Sequence, residues 1–237
     1  MCLLPSKPGE INHLSGTIYI YTLKDKTIYT QLYIGGESSI DVAGRRVVLA
    51  QKTNYPWDGK VEMIVRTSET KEFSLGLRIP GWCKNYRLIM NGEETKAEVE
   101  NGYLMLNRTW NEGDTVELIL DMPVELMQAN PRVRENSGKL AIQRGPLVYC
   151  IEEIDNGSNL SDISIPMDVK LTAEFDDNIL EGTVVIKGSA FRTNDAIWDD
   201  NLYQTAEDNK KPASIMAVPY HLWGNRASGE MLVWIRG

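Results

Sequence analysis

Alternation of apolar and polar side chains is the dominant pattern in the first half of the chain. From Thr115 to Leu120, every second residue is a valine or a leucine, and a period of two indicates a β-strand with one buried face. Two Asn-Gly dipeptides, at Asn91 and Asn101, can supply the positive φ angles that tight hairpin turns require. The pattern therefore predicts antiparallel strands that are joined by short turns.

Similar apolar and β-branched runs recur at intervals of roughly ten residues, a spacing typical of a β-sandwich or barrel. Two such runs flank Lys24-Asp25-Lys26 and predict a hairpin. Further strands of this region are predicted at residues 39–42, 46–53, 60–67, 72–77, 86–90, 103–107 and 115–120. Trp82, Trp110 and Leu118 are expected to be largely buried. Because no window shows helical periodicity, the predicted fold class is all-β.

A change of pattern at Met122-Pro123 predicts a boundary between two consecutive antiparallel β-sandwich domains. Strands of the second domain are predicted at residues 163–165, 171–175, 182–188, 213–219 and 231–235. The polar segment from Thr193 to Lys211 shows only a weak pattern, so it is predicted to be a long loop.

The composition argues against several classes of function. The 237 residues carry a net charge of −8 and no dense cluster of Lys and Arg, so binding of nucleic-acid phosphates is not expected. No apolar run approaches the roughly 20 residues that cross a bilayer, so no membrane partner is expected. The N-terminal apolar stretch is too short for a secretory signal. These observations favour a cytoplasmic location.

Cysteine and histidine usage points to no catalytic or metal site within this chain. Cys2, Cys83 and Cys150 form no C-x-x-C pair, so neither a disulfide framework nor a self-contained zinc site is expected. Cys83 and Cys150 lie in apolar strand contexts, which predicts buried and inert thiols. His13 and His221 are far apart in the sequence, and a structural role is the simplest interpretation of His221. No serine-hydrolase, zinc-protease, P-loop or dinucleotide motif is present.

The run that most resembles a ligand site is Tyr55-Pro56-Trp57-Asp58-Gly59. Aromatic rings beside a carboxylate on a turn can stack on the face of a sugar, and Trp223 in a later loop offers a further ring. The candidate substrate-binding residues are Tyr55, Trp57, Asp58 and Trp223. The structural alternative, which we favour, is a turn packed on its own sandwich, where Pro56 fixes the backbone and Gly59 supplies a positive φ.

Short runs spread along the chain carry a resemblance to one family. They lie at residues 32–35, 54–59, 77–83, 91–92, 102–103, 108–110, 112–114, 122–124, 141–150, 217–220, 223–226 and 231–235. Each run is weak alone, but their order and spacing resemble the DUF1680 proteins, glycoside hydrolase family 127, typified by β-L-arabinofuranosidases. The resemblance extends from about residue 14 to the C-terminus.

The resemblance implies an architecture and a mechanism. Members of the family carry an N-terminal (α/α)6 barrel that holds the active site, followed by two β-sandwiches, and only the sandwiches resemble this chain. A retaining reaction is implied, in which a zinc-bound cysteine attacks the anomeric carbon. The ligands belong to an upstream Glu-x-Cys motif and to a Cys-Cys pair at the end of the barrel. Counted back from Gly16, this pair falls on Leu3-Leu4, one residue after Cys2, and a short gap would bring Cys2 onto a ligand position.

The same resemblance predicts how the chain is organised and what it does. Residues 1–16 are a remnant of the barrel end, 17–122 the first sandwich and 123–237 the second. The chain is expected to be the non-catalytic portion of a β-L-arabinofuranosidase-like enzyme of plant-type glycan breakdown, inactive alone, with zinc only in the missing barrel. Expected partners are a catalytic barrel on the same or a neighbouring polypeptide, a carbohydrate, and a second copy of the chain. The alternative is a free-standing carbohydrate-binding module that uses Tyr55, Trp57 and perhaps Trp223.

Overall fold

The computed structural model describes residues 21–194 and 202–237. The described chain divides into two compact units between Asp121 and Met122. The strands of the first unit are β1 (Tyr21–Lys24), β2 (Thr27–Thr30), β3 (Gly36–Asp41), β4 (Arg46–Thr53), β5 (Lys60–Thr67), β6 (Lys71–Arg78), β7 (Tyr86–Met90), β8 (Glu93–Thr95), β9 (Val99–Glu100), β10 (Tyr103–Trp110) and β11 (Thr115–Leu120).

Strands also dominate the second unit. They are β12 (Val124–Gln128), β13 (Lys139–Arg144), β14 (Leu147–Glu152), β15 (Ile163–Ser164), β16 (Leu171–Asp176), β17 (Thr183–Thr193), β18 (Lys210–Pro219), β19 (Met231–Leu232) and β20 (Ile235–Arg236). The described helical structure is one short α-helix, α1 (Glu153–Asn156), and the 3₁₀ turns Arg134–Asn136, Leu160–Asp162 and Tyr220–Leu222. The all-β prediction is therefore confirmed. No helix in the described ranges is long and apolar enough to cross a membrane.

The first unit is built from two sheets. One has the strand order β1-β2-β6-β10-β9 and the other β3-β4-β5-β11-β7-β8. One pairing departs from the antiparallel prediction: β2 and β6 run parallel, with Thr27 beside Ser74 and Thr30 beside Leu77. Three strands of the other sheet separate β2 from β6 along the chain, and parallel neighbours need such a long crossover connection.

The core of the first unit follows the period-two pattern. Val116, Leu118 and Leu120 on β11 are buried, as is Trp110 on β10. The Trp110 indole N–H donates a hydrogen bond of 3.0 Å to the carbonyl of Phe73, which satisfies the polar group of a fully buried ring. The burial predicted for Trp110 and Leu118 is confirmed.

Trp82 is only partly buried and packs against the edge of the first core. The prediction that it would be largely buried is therefore wrong in degree. Trp82 follows β6 in a loop, beyond the last strand residue that faces the core. Its ring instead lies nearly parallel to that of Tyr55, with the ring centroids 6.5 Å apart.

Both Asn-Gly turns have the predicted geometry. Asn91 and Gly92 have φ angles of 51° and 85°, and Asn101 and Gly102 have φ angles of 51° and 83°. Positive φ at both central positions is the requirement of a type I′ hairpin turn. The first turn joins β7 to β8, and the second joins β9 to β10.

The second unit contains a single nine-stranded sheet. Its β13–β14 hairpin is paired near the turn, where Arg144 lies beside Leu147, and it splays apart further along. The last segment of the chain fills this fork, with β19 paired to β14 and β20 paired to β13. β20 also has a parallel neighbour in β15. Buried apolar side chains of this unit form the second core.

The strands on either side extend slightly into the segment predicted to be a loop, residues 193–211, of which residues 195–201 lie outside the described residues. β17 continues to Thr193 and β18 begins at Lys210, and the register pairs Phe191 with Pro212 and Arg192 with Lys211. Cross-strand hydrogen bonds can support a polar hairpin arm that carries no apolar alternation. The predictions for residues 1–16, Cys2 and His13 lie outside the described residues.

Candidate functional site

The turn from Tyr55 to Gly59 joins β4 to β5 and directs its first ring into the first unit. The half-buried Tyr55 ring lies edge-on to Tyr33, with centroids 5.9 Å apart, and packs against Trp82 on its other side. Tyr33 is itself buried and donates a hydrogen bond of 2.6 Å to the carbonyl of Arg78. Burial raises the pKa of the Tyr55 hydroxyl. Much of the aromatic surface of Tyr55 is therefore packed against other residues of the first unit.

The rest of this turn is also held by local contacts. The backbone N–H of Trp57 donates to the carbonyl of Asn54 at 2.8 Å, and the Trp57 side chain is half-buried. The Asp58 carboxylate accepts a hydrogen bond of 2.9 Å from the backbone N–H of Lys60. This contact is an Asx-type turn, in which a carboxylate stabilises the backbone two residues on.

Gly59 corrects the predicted reason for a glycine in this turn. Its φ lies outside the left-handed region, so the expected positive φ is wrong. A Cβ at this position would lie 1.9 Å from the carbonyl oxygen of Leu120. The Leu120 N–H donates to the Gly59 carbonyl at 2.9 Å. Glycine is required because two backbones approach closely, a reason that sequence context alone does not reveal.

Trp223, the remaining candidate, lies in the second unit beside a 3₁₀ turn. Its ring is nearly parallel to that of Tyr220, with an interplanar angle of 11° and centroids 6.3 Å apart. Tyr220 is 47% exposed and Trp223 is 46% exposed. We call these two residues the aromatic pair. The structure thus places Trp223 in a different unit from Tyr55, Trp57 and Asp58.

A buried ionic network anchors the loop that carries the aromatic pair. Arg226 donates hydrogen bonds to Glu152 at 2.5 Å and to Asp155 at 2.8 Å. The side chains of Arg226, Glu152 and Asp155 are 14%, 4% and 7% exposed. Glu152 also accepts a hydrogen bond of 3.0 Å from the backbone N–H of Gly224. The hydrogen bonds to Asp155, followed by the single hydrogen bond to Glu152, raise the pKa of the Arg226 guanidinium.

The neighbourhood of this network includes a histidine and a cysteine. His221 is half-buried within the loop, and burial lowers the pKa of its imidazole. Cys150 is buried on β14. Burial, followed by the nearby negative charge of Glu152, raises the pKa of the Cys150 thiol to about 12. The thiol is therefore protonated at neutral pH, and a protonated thiol is a poor nucleophile and metal ligand.

Cys83 differs from its prediction because it is only partly buried. Its Sγ donates a hydrogen bond of 3.0 Å to the carbonyl of Asn85, and burial raises the pKa of its thiol. Cys83 and Cys150 lie in different units. Within residues 21–194 and 202–237, no group of three His, Cys, Asp or Glu side chains is arranged to hold a metal ion.

Two depressions in the surface of the second unit are shallow. One, with a cavity volume of about 320 Å³, is lined by Gln128, Asn130, Asn136 and Lys139 among others, and by no Asp or Glu side chain. The other, of about 280 Å³, has Asp208 as its single acidic lining residue. Glycosidases of the common type flank the scissile bond with two carboxyl groups. Neither depression offers that pair.

Comparison with known proteins matches both units to one family. Residues 27–122 match the model of the β-L-arabinofuranosidase GH127 middle domain. Residues 124–236 match the model of the glycoside hydrolase family 127 C-terminal domain. The chain belongs to glycoside hydrolase family 127. It corresponds to the middle and C-terminal domains of the family, as the resemblance in its sequence implied.

Several family 127 relatives are longer than this chain. The non-reducing end β-L-arabinofuranosidase of Bifidobacterium longum subsp. longum is 34% identical over 244 residues, which cover 97% of this chain and 36% of the relative. The crystal structure of a GH127 β-L-arabinofuranosidase from Geobacillus stearothermophilus T6 superposes with a TM-score of 0.89 at 44% identity, over 92% of this chain and 35% of that one.

A further solved structure, a GH127 β-arabinofuranosidase, gives a TM-score of 0.80 at 29% identity, over 92% of this chain and 36% of that one. The chain therefore spans about a third of the length of the family 127 relatives it matches. In those relatives, the additional residues are the larger part of the polypeptide.

Proposed function

We propose that this chain is the non-catalytic β-sandwich portion of a β-L-arabinofuranosidase-type glycoside hydrolase that acts on plant-type glycans. Catalysis belongs to a barrel domain on the same or a neighbouring polypeptide. The observation that carries the proposal is the match to the middle and C-terminal domains of family 127 alone, over about a third of each relative.

The state of the charged side chains supports a scaffold role. Glu152 and Asp155 are neutralised by Arg226 and are nearly inaccessible to solvent. The Asp58 carboxylate already accepts a hydrogen bond from the backbone of its own turn. A general acid or base must reach the substrate within hydrogen-bonding distance, and these three carboxylates already serve the fold.

The donor set of the described residues does not fit the zinc centre that the family implies. A zinc-thiolate site needs three or four ligands that converge on one metal at about 2.0–2.3 Å. Cys83 and Cys150 belong to different units, and burial raises the pKa of both thiols. We therefore assign no step of the reaction to a metal held by these residues, and we predict that the chain binds no stoichiometric zinc.

An activity assay combined with a zinc measurement tests this proposal. The purified chain is incubated with an aryl β-L-arabinofuranoside, and bound zinc is measured by mass spectrometry of the metal. We expect neither turnover nor stoichiometric zinc. Turnover that is abolished by Cys2→Ser, but not by the control Cys150→Ser, would overturn the scaffold role and would make the N-terminal segment an active site.

A free-standing carbohydrate-binding module is the second candidate function. The exposed faces of the aromatic pair favour it, because aromatic rings can stack on sugars. Retention of the chain on immobilised arabinan, lost in Trp223→Ala and kept in Tyr55→Ala, would establish this function. Equal elution of the wild type and both variants from matrices with and without arabinan would exclude it.

A further inference from the structure

The aromatic pair is a large apolar surface on a rigid support. Tyr220 and Trp223 are each nearly half exposed, although tyrosine and tryptophan usually bury most of their apolar surface. The turn beneath the rings is closed by the Trp223 N–H, which donates to the Tyr220 carbonyl at 3.2 Å. Because the rings lie nearly parallel with their centroids 6.3 Å apart, their exposed parts are adjacent.

The ionic network fixes the orientation of this surface. Arg226 joins the loop to Glu152 at the end of β14 and to Asp155 in α1. The Gly224 N–H also donates to Glu152, which makes a third hydrogen bond between the loop and these elements. Burying three charged groups is unfavourable unless all are paired. Here the paired charges hold the backbone of the loop, so the rings need little further ordering when a partner binds. Such pre-organisation lowers the entropic cost of association.

The contacts around the pair favour a protein surface over a sugar as the partner. Sugar sites combine a ring with polar groups that bond to hydroxyls. Here the charged groups that hold the loop, Arg226, Glu152 and Asp155, bond to each other. The Asn225 side chain donates to the Leu222 carbonyl at 3.0 Å. Rigid Tyr and Trp side chains that lose solvent completely are the commonest anchors of protein interfaces.

We infer that Tyr220 and Trp223 anchor this chain on the N-terminal remainder of a family 127 enzyme. The relatives join that remainder, about two thirds of their length, to the region that this chain matches. The two family models are the middle and C-terminal domains, so the remainder precedes them. This inference rests on the proposed function, because it takes the catalytic portion as the occupant of the aromatic surface.

A chimaera tests the inference. This chain replaces the matching 35% of the Geobacillus stearothermophilus relative, and oxidative footprinting measures the reactivity of Trp223 in the free chain and in the chimaera. We expect the reactivity to fall about tenfold in the chimaera, as for an anchor that loses its solvent. Trp223→Ala and Tyr220→Ala should lower the melting temperature of the chimaera and leave that of the free chain unchanged.

Phe175→Ala is the matched control, because Phe175 is an aromatic residue of the same unit that is 70% exposed. It should leave the melting temperature of the chimaera unchanged. An equal footprint of Trp223 in the free chain and the chimaera would overturn the inference. So would protection of Trp223 in the free chain by arabino-oligosaccharides, or by a dimer that Trp223→Ala abolishes in sedimentation.

Hydrolysis of an aryl β-L-arabinofuranoside by the chimaera separates this inference from the proposed function. A hydrolytic chimaera in which Trp223 stays reactive would reject the anchor alone. A chimaera with protected Trp223 and no hydrolysis would reject the function alone. If the chimaera is insoluble, the two parts are co-expressed and co-purified. Retention of the wild-type chain and loss of the double variant Tyr220→Ala/Trp223→Ala is then the expected result, and equal retention contradicts the inference.

Discussion

Two turns of this protein contain similar residue types and use them in opposite ways. The turn that carries Tyr55 directs its ring between Tyr33 and Trp82, so its aromatic surface stabilises the first unit. The loop that carries Trp223 leaves this residue nearly half exposed and is held by a buried ionic network. Aromatic composition alone therefore does not assign a binding role. What lies beneath the ring decides whether its face is available.

The two turns also differ in what holds their backbone in place. In the first turn, the ring itself contributes to the packing, and the approach of Gly59 to Leu120 joins the backbones. In the second, the hydrogen bonds of Glu152 with the Arg226 side chain and with the Gly224 N–H hold the loop. Substitutions should therefore destabilise the first turn through lost packing and the second through unpaired charge.

The largest effect is expected from Arg226→Ala. It leaves Glu152 and Asp155 buried without a counter-charge, and removing one partner of a buried ion pair typically costs about 3–5 kcal/mol. Urea denaturation should show this loss in the free energy of unfolding. Arg45→Ala is the control, because Arg45 pairs with Glu69 on the surface and exposed pairs contribute at most about 1 kcal/mol. Equal effects of the two substitutions would contradict a buried network.

The second effect concerns the first turn. Gly59→Ala places a methyl group against the Leu120 carbonyl, and overpacking of this kind costs about 3 kcal/mol. The matched control is Gly81→Ala, since a Cβ at Gly81 meets nothing within 4 Å. Its effect should stay within about 0.5 kcal/mol. A tolerated Gly59→Ala, measured by the same urea titration, would mean that the two backbones are further apart than described.

A smaller difference in the free energy of unfolding should separate substitutions of the Tyr55 and Trp223 rings. Tyr55→Leu loses aromatic contacts with Tyr33 and Trp82 and should destabilise the chain by about 1 kcal/mol. Trp223→Leu changes a half-exposed ring and should alter the free energy of unfolding by no more than about 0.5 kcal/mol. A larger fall in melting temperature for Trp223→Leu than for Tyr55→Leu would show that the Trp223 ring contributes more to stability.

The smallest effect is the contribution of His221, in the second loop, to the pH dependence of the free energy of unfolding. Burial lowers the pKa of His221 below its ordinary value of 6.5, so the unfolded chain takes up a proton at a higher pH than the folded chain. The contribution of the neutral His221 to the free energy of unfolding is therefore complete above pH 6.5. It is lost as the pH drops through the pKa of His221 in the folded chain. His221→Gln should remove this part of the pH profile, and parallel profiles of the variant and the wild type would exclude it.

Much of the fold was predictable because it is local. The period-two pattern located the core residue Leu118, and the Asn-Gly dipeptides located two hairpin turns whose φ angles are positive. The parallel pairing of β2 with β6 was not predictable. Periodicity states which face of a strand is buried, but it does not state which strand lies alongside.

The surroundings of the candidate residues were much less predictable. The sequence indicated aromatic residues on turns, but not the direction in which each ring points. The network that supports Trp223 joins Arg226 to Glu152, which are 74 positions apart, so no short motif announces it. Gly59 was assigned a turn role, although its contact with Leu120 comes from a distant strand. The role of Tyr55, Trp57, Asp58 and Trp223 in sugar binding stays a prediction.

The fork in the second sheet links folding to the direction of protein synthesis. β20 follows every other described strand of its unit, yet its place is beside β13, which is among the earliest. While the ribosome still holds residues 231–236, the diverging edges of β13 and β14 have no partner at this position, and open edges recruit strands from other chains. Loss of this short segment to a premature stop codon or a protease would therefore expose the nascent domain to aggregation.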